Sequence, residues 1–164
     1  MTRLATALLA VLFLLPACGA LSDSAGPSAT MFRMIGRSWL LATSKVNESS
    51  PGMAVVRDQA TWNAWMADIR DLRPPSGDPR DVVPTVDFST ENAVVLWLGA
   101  RGDTSYSVDV ASVSLARPSR LTLQAVETQS CGGAALVITY PLAIVAVPKG
   151  FEVQAEWSRT APCR

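Results

Sequence analysis

Alternating apolar and polar positions dominate the second half of the chain and predict β-strands. Apolar side chains recur at every second position in four stretches, 106–110, 121–125, 136–140 and 151–157. Turn-forming residues separate these stretches at intervals of about ten residues, which is typical of an antiparallel sheet or sandwich. Between Val110 and Val113 the alternation changes phase, which predicts a β-bulge near Ala111 and Ser112.

Other apolar stretches predict further strands. The run from Ala93 to Gly99 contains no polar side chain, which predicts a strand that is buried on both faces. Shorter stretches at 32–41 and 53–56 predict two more strands. The long apolar run 134–147 predicts two adjoining strands that Pro141 separates, because proline removes a backbone donor.

A single helix is predicted between residues 58 and 72. Its apolar residues follow the spacing of one helix face and are Trp62, Trp65, Met66 and Ile69. Asp58 stands where an N-cap belongs, and the Pro74-Pro75 pair prevents the helix from continuing beyond Leu72. A loop with four prolines follows at 73–85. These elements together predict an α+β, mainly β fold: an antiparallel sheet or sandwich with one packed amphipathic helix.

The beginning of the chain has the order of an export signal. Arg3 precedes an apolar run from Leu4 to Leu15, and Leu15-Pro16-Ala17 leads directly to Cys18. This order resembles the lipobox of bacterial lipoproteins. In that family the cysteine is acylated, carrying palmitate, and the peptide before it is removed.

The lipobox resemblance implies how the chain is organised and where it is located. It implies a signal peptide at 1–17, an acylated cysteine with a flexible stalk at 18–30, and one domain at 31–164. The apolar run of about 12 residues is shorter than the ~20 that a membrane-spanning helix requires. Gly19 stands where family members retained at the inner membrane have Asp, which favours the outer membrane of a bacterial envelope. The alternative is an ordinary secretory signal cut near residue 17 or 20.

Composition narrows the range of functions. The chain has 14 basic and 14 acidic residues and no histidine. Balanced charge predicts no basic surface for nucleic acid, and without histidine there is no proton shuttle for a nucleophilic triad and few ligands for zinc. We therefore expect no enzyme activity, no cofactor and no metal. The alternative is a small carboxylate-dependent hydrolase, with candidates Asp71, Asp78, Asp81, Asp87 and Glu91.

Two cysteines remain when Cys18 is acylated. In an exported chain, Cys131 and Cys163 are expected to form a disulfide. Closing a loop of ~30 residues would stabilise the fold by roughly 3–4 kcal/mol. The bond would also fasten the last residues of the chain to the domain.

From Met53 to about residue 155, the order of features resembles the C-terminal domain of the protease-complex protein PrcB. The matching features are Trp62-x-x-Trp65, Pro84-x-Val86-Asp87-Phe88, the strand ending at Gly99, Tyr106, and Pro141 with residues 144–149. The family commonly has Gly-Gly before the tyrosine, where this chain has Thr104-Ser105. The resemblance implies a non-catalytic binding module, since the family's namesake is an accessory partner of a surface protease.

We therefore expect a membrane-anchored extracytoplasmic lipoprotein that binds another protein, as stabiliser, accessory factor or inhibitor of an envelope protease. The alternative is a structural envelope lipoprotein without a dedicated partner. The contact surface is expected in the loops 100–106 and 73–85 and at the corner around Cys131. Candidate partner-binding residues are Arg101, Asp103 and Tyr106. Arg101-Gly102-Asp103 also spells the tripeptide that integrins read, but Gly and Asp occur there for the ordinary reasons of a turn.

Overall fold

The computed structural model describes residues 31–40, 49–73, 85–132 and 134–160. Its elements are β1 (Arg33–Leu40), β2 (Gly52–Val56), α1 (Gln59–Met66), β3 (Arg70–Arg73), β4 (Glu91–Trp97), β5 (Tyr106–Arg117), β6 (Arg120–Gln129), β7 (Tyr140–Pro148) and β8 (Glu152–Arg159). For these residues, the prediction of a mainly β chain with one short helix is confirmed. The predicted signal peptide, Cys18, the stalk, most of the 73–85 loop and Cys163 lie outside the described residues.

Five strands form an antiparallel sheet in the order β2-β4-β7-β1-β3. β4 and β7 lie in its interior and pair from Glu91 opposite Pro148 to Trp97 opposite Leu142. Nearly every residue of both strands is buried. The apolar run that begins at Ala93 therefore forms a strand with both faces buried, as predicted, but this strand ends at Trp97 instead of Gly99.

α1 covers one face of this sheet. Asp58 is its N-cap, and one carboxylate oxygen accepts a hydrogen bond from the Thr61 amide at 2.8 Å. This bond satisfies an amide that the first helical turn leaves unpaired. Trp65 is buried under the helix and packs against Trp97 of β4, with ring centroids 6.1 Å apart. The predicted N-cap and the predicted packing of the tryptophan face are both confirmed.

The helix is shorter than predicted. It ends at Met66 instead of near Leu72, and β3 follows at Arg70 and pairs antiparallel with β1. Ile69 lies beyond the helix but still reaches the apolar cluster on this face. The prediction of the helix end failed because pairing with β1 satisfies backbone groups that another helical turn would otherwise satisfy. Within the described ranges, no helix is long and apolar enough to cross a bilayer.

The remaining strands form a second sheet in the order β5-β6-β8. β5 and β6 make an antiparallel hairpin whose register shifts between Val110 and Ser112, which confirms the predicted bulge. β6 and β8 run parallel, so the prediction of antiparallel pairing is wrong for this pair. β7 lies between β6 and β8 in sequence and belongs to the other sheet. The chain therefore runs back along the molecule through β7 before β8 begins, and such a crossover allows two neighbouring strands to run parallel.

The two sheets share an apolar cluster. β4 and β7 contribute alternate residues to it, among them Val94, Leu96 and Val145, and the second sheet contributes residues such as Leu123 and Val153. The intervening residues of β4 and β7 belong to the cluster under α1. The same pair of strands therefore has an apolar core on each of its faces.

The segment before β7 differs from the prediction. Alternation at Leu136, Ile138 and Tyr140 predicts a strand, but β7 begins only at Tyr140, and the side chains of Leu136 and Ile138 are exposed. The alternation shows only that apolar residues occupy every second position, and none of the described strands pairs with residues 134–138. Residues 134–138 are an irregular loop.

Pro141 also differs from the prediction, because it lies inside β7 and separates nothing. It stands opposite Trp39 of β1, and its carbonyl accepts a hydrogen bond from the Leu98 amide at 3.1 Å. The N–H and C=O of one residue point to the same side in an antiparallel ladder. The missing N–H of Pro141 therefore faces Leu98, one residue beyond the end of β4, so the proline costs the sheet at most one bond at the margin of this ladder.

Gly52 is expected to be required for the packing of Trp97. A Cβ at position 52 would lie 2.5 Å from the ring of this buried tryptophan. We expect Gly52→Ala to lower the free energy of unfolding by about 1–3 kcal/mol, the usual cost of overpacking a core. Denaturant unfolding measures the change. Gly102→Ala is the matched control, because no atom lies within 4 Å of the added carbon, and equal losses in the two variants would contradict the assignment.

Candidate functional site

Two loops meet at one end of the molecule, which we call the tip. The first tip loop is 98–105, between β4 and β5, and the second is 134–139, before β7. β1 begins at the other end, because Arg33 pairs with Ala146 late in β7 while Leu40 pairs with Tyr140 at its start. An eight-residue strand is about 25 Å long. The tip is therefore separated from the beginning of the domain by the length of the sheet.

Hydrogen bonds fasten the two tip loops to each other. The Arg101 amide donates to the Thr139 carbonyl at 2.8 Å, and the Thr139 amide donates to the Arg101 carbonyl at 2.9 Å. Further along, the Thr104 amide donates to the Ala135 carbonyl at 3.2 Å, and the Ala135 amide donates to the Thr104 hydroxyl at 3.0 Å. The buried Thr139 hydroxyl donates to the Asp103 carbonyl at 3.0 Å. The second loop is thus held at both of its ends.

The charged residues of Arg101-Gly102-Asp103 serve the loop itself. The Asp103 carboxylate accepts hydrogen bonds from the amide and the hydroxyl of Ser105. Such a bond to the backbone two residues ahead is the geometry that makes Asp common in turns. The Arg101 side chain points inward and is only 13% exposed. The tripeptide therefore forms a structural turn, as expected.

A buried carboxylate lies beneath the first tip loop. Glu127, on β6, is 6% exposed, and Arg101 binds it through two nitrogens at 3.0 and 3.1 Å. Arg159, at the end of β8, binds it from the solvent side at 2.9 Å and is 67% exposed. The Arg101 guanidinium lies 5.7 Å from the centre of the Tyr106 ring. This cluster joins the first tip loop to all three strands of the second sheet.

The surroundings of Glu127 determine its protonation. Burial raises the pKa of this carboxyl, but the hydrogen bonds and positive charges of Arg101 and Arg159 together lower it below its ordinary value of 4.5. The group is therefore a carboxylate at neutral pH and is engaged by both arginines. A recess of about 180 Å³ beside it is lined by Tyr106, Glu127, Gln129, Arg159 and Thr160. Since its carboxylate is already paired, the recess offers no free base.

The second tip loop presents apolar side chains to solvent. Leu136 is 92% exposed, Ile138 62% and Val137 42%. The Val137 amide donates to the Ala135 carbonyl at 3.0 Å, so Leu136 stands at the apex of a three-residue turn. Among the described residues the only other exposed large apolar side chain is Leu115. Consecutive exposed apolar residues of this kind mark interaction sites.

The sequence directs attention to the loop 100–106, which lies at the tip, but not to the apolar residues that the tip exposes. Arg101, Asp103 and Tyr106 are brought together, and each one supports the tip from within. The corner at Cys131 is close to them, while most of the 73–85 loop lies outside the described residues. Glu127 was missed, although a signal was present, because it continues the inward phase of the apolar positions in β6.

The candidate carboxylates of a hydrolase are placed only in part. Asp87 accepts hydrogen bonds from the hydroxyls of Ser89 and Thr90, and these bonds, first those from Ser89, lower its pKa. Glu91 forms an ion pair with Arg33 at 2.7 Å. Asp78 and Asp81 lie outside the described residues, and Asp71 is placed on β3. Within the described ranges, no three His, Cys, Asp or Glu side chains lie together so as to hold a metal ion.

Glu127→Gln should flatten the acid dependence of stability. A carboxyl whose folded pKa lies below its unfolded pKa contributes stability that is complete above the unfolded value. That contribution is lost as the pH falls through the folded value. At pH 7 we expect the variant to lose about 2 kcal/mol, because a charge-assisted bond is removed. Between pH 7 and pH 3, denaturant unfolding should show the difference from the unmodified protein shrinking. Glu152→Gln is the control, since this 66%-exposed partner of Arg120 should change stability little. A constant difference at all pH values would contradict the assignment.

Cys131 is disulfide-bonded, and its pairing with Cys163 stays a prediction because Cys163 lies outside the described residues. The Thr160 amide donates to the Glu127 carbonyl at 2.9 Å, which places Thr160 beside the end of β6, four residues before Cys131. Mass spectrometry of a non-reduced digest should therefore find peptides with Cys131 and Cys163 linked. Cys163→Ser should cost roughly 3–4 kcal/mol of stability, whereas Cys18→Ser should leave the link intact. A link between Cys131 and Cys18 would overturn the pairing.

Comparison with protein-family models, with curated proteins and with solved structures finds no match to this chain.

Proposed function

We propose that the chain is a membrane-anchored extracytoplasmic lipoprotein that acts as a non-catalytic protein-binding module and binds its partner through the tip. The observation that carries the proposal is the exposed apolar run Leu136–Ile138 on a loop that is fastened at both ends. The resemblance to the PrcB C-terminal domain supports the same kind of function, namely a stabiliser, accessory factor or inhibitor of an envelope protease.

Energetics favour a protein contact at the tip. Burying one large, fully exposed aliphatic side chain contributes about 1.5–3 kcal/mol, so covering this run favours association by several kcal/mol before the costs of association are subtracted. Most of the binding energy of an interface comes from a few residues near its centre. Because hydrogen bonds already hold the loop, less conformational entropy is lost on binding than with a free loop.

The position of the tip agrees with a tether at the other end. β1 begins at the end of the sheet remote from the tip, and the predicted stalk precedes it. A flexible stalk of about 13 residues has a typical end-to-end distance of ~20 Å. On such a flexible tether the tip, at the remote end of the sheet, is free to reach other envelope proteins. The outer membrane remains the favoured location.

We also infer that the two sheets form a sandwich. One apolar cluster draws residues from both sheets, and close-packed side chains of this kind hold layers in a fixed relation. A rigid body of this type presents a loop in one orientation, as a binding module requires.

The absence of histidine supports a non-catalytic role, as does the engagement of the described carboxylates. Glu127 is paired with two arginines, Glu91 is paired with Arg33, and Asp87 closes its own turn. General acid–base catalysis needs a group that is free to exchange a proton near neutral pH. These three carboxylates are all bound in structural contacts.

A photo-crosslinking amino acid at position 136, introduced in intact cells, tests the proposal. Position 119 is the control, since Ser119 is an exposed residue in the β5–β6 turn at the opposite end of the hairpin. We expect one dominant protein adduct from position 136 that is absent from position 119. In a Cys18→Ser background the adduct should be lost or should form away from the membrane.

Two results would count against the proposal. If positions 136 and 119 give the same diffuse adducts, the structural alternative, an envelope lipoprotein without a dedicated partner, is favoured. If Cys18→Ser leaves the protein at the membrane with its adduct unchanged, the lipid anchor is wrong and the binding role stands alone.

A further inference from the structure

We propose that the second tip loop is an inhibitory loop that occupies the active-site cleft of an endoprotease with an apolar primary pocket, and that Leu136 fills that pocket. This inference rests on the proposed function and names the class of partner. It follows from the exposure of Leu136, from the nearby main-chain groups with which no described residue pairs, and from the hydrogen bonds on either side.

The main chain around Leu136 is available for pairing. Among the described residues, nothing pairs with the amides of Leu136 and Ile138 or with the carbonyls of Leu136, Val137 and Ile138. An extended peptide that adds to a sheet edge gains affinity from main-chain hydrogen bonds and specificity from pockets for alternate side chains. Protease clefts bind their substrates in this manner, and binding of this loop would exchange the single Val137–Ala135 bond of its turn for main-chain bonds to the protease. An ordinary apolar contact would not need free N–H and C=O groups.

The side chains of the loop specify the chemistry of the cleft. Leu136 protrudes furthest, with 92% of its surface exposed, and no charged residue occurs from Gly132 to Pro148. A primary pocket that holds Lys or Arg by means of a buried carboxylate would have nothing to pair with. An apolar pocket, like the hydrophobic slot of chymotrypsin, fits the leucine.

The hydrogen bonds on each side explain why the loop would inhibit instead of being consumed. Hydrolysis of the Leu136–Val137 bond would add one water and leave a carboxylate on Leu136 and an amine on Val137. The first new end would still be held through Ala135 by Thr104, and the second through Thr139 by Arg101. Held ends keep the amine near the acyl group at high effective concentration. Resynthesis of the bond then competes with release of the product.

The tethering membrane is a less suitable occupant for this loop. The tip lies at the end of the sheet opposite the beginning of β1. Membrane-binding segments also combine apolar residues with a surface rich in Lys and Arg. Here Arg101 is buried against Glu127, and Arg159 is bound to the same carboxylate.

The experiment measures inhibition of three purified proteases by the full-length protein in detergent micelles. Chymotrypsin and subtilisin are the probes with apolar primary pockets, and trypsin, whose pocket takes Lys and Arg, is the comparison. We expect competitive inhibition of at least one apolar probe and none of trypsin. Leu136→Arg should weaken inhibition of that apolar probe by about 100-fold, the effect of removing a central anchor. The same variant should inhibit trypsin.

Leu115→Arg is the matched control, because Leu115 is also an exposed leucine but lies in β5 far from the tip. This variant should inhibit the apolar probe as strongly as the unmodified protein does and should not inhibit trypsin. Thr104→Val removes the hydroxyl that accepts from the Ala135 amide and should speed cleavage after Leu136 at least several-fold. Circular dichroism of each variant establishes that it is folded.

The possible outcomes separate this inference from the proposed function. The exchange of specificity by Leu136→Arg supports the inference. No inhibition of either apolar probe overturns it, as does rapid cleavage after Leu136 without inhibition. If a dominant adduct still forms at position 136 in cells, the binding module stands and only its class of partner is wrong.

Discussion

The pairing of β4 with β7 is the interaction on which the rest of the structure depends. Both strands are buried on both faces, against α1 on one side and the second sheet on the other. Their backbone groups have no access to water, so each ladder hydrogen bond must be made within the chain. The register from Glu91–Pro148 to Trp97–Leu142 then decides where the neighbouring loops leave. Since β4 ends where β7 begins, residues 98–105 and 134–139 must meet, and the tip follows from the core.

Features of the fold that depend on local chemistry could be predicted from the sequence. The Asp58 cap, the doubly buried run at 93–97 and the bulge beside Ser112 each follow from residues close together in the chain. Features that depend on which distant backbone is free could not be predicted. They include the early end of α1, the parallel neighbour of β6 and the irregular loop before β7.

The features of the candidate site also divide into those that nearby residues predict and those that depend on distant contacts. Composition and turn residues indicated the region around Arg101 and Asp103, because charged residues beside glycine are typical of exposed turns. They could not reveal that Arg101 turns inward, since its partner Glu127 is 26 residues away. The sequence predicts a strand through Leu136, because apolar residues at every second position can occur both in a buried strand and in an exposed loop. Only the positions of neighbouring strands separate these two cases.

The parallel ladder between β6 and β8 has a consequence for the order in which the molecule assembles. β8 is the last described strand, and its residues 152–159 pair with residues 120–127 of β6, while β7, which lies between them in sequence, belongs to the other sheet. Pairings between such distant parts of the chain form slowly. Arg159 of β8 covers the solvent side of Glu127, so the ion cluster beneath the first tip loop is complete only when this ladder has formed. The support of that loop therefore depends on a pairing between residues that lie 32 positions apart in the chain.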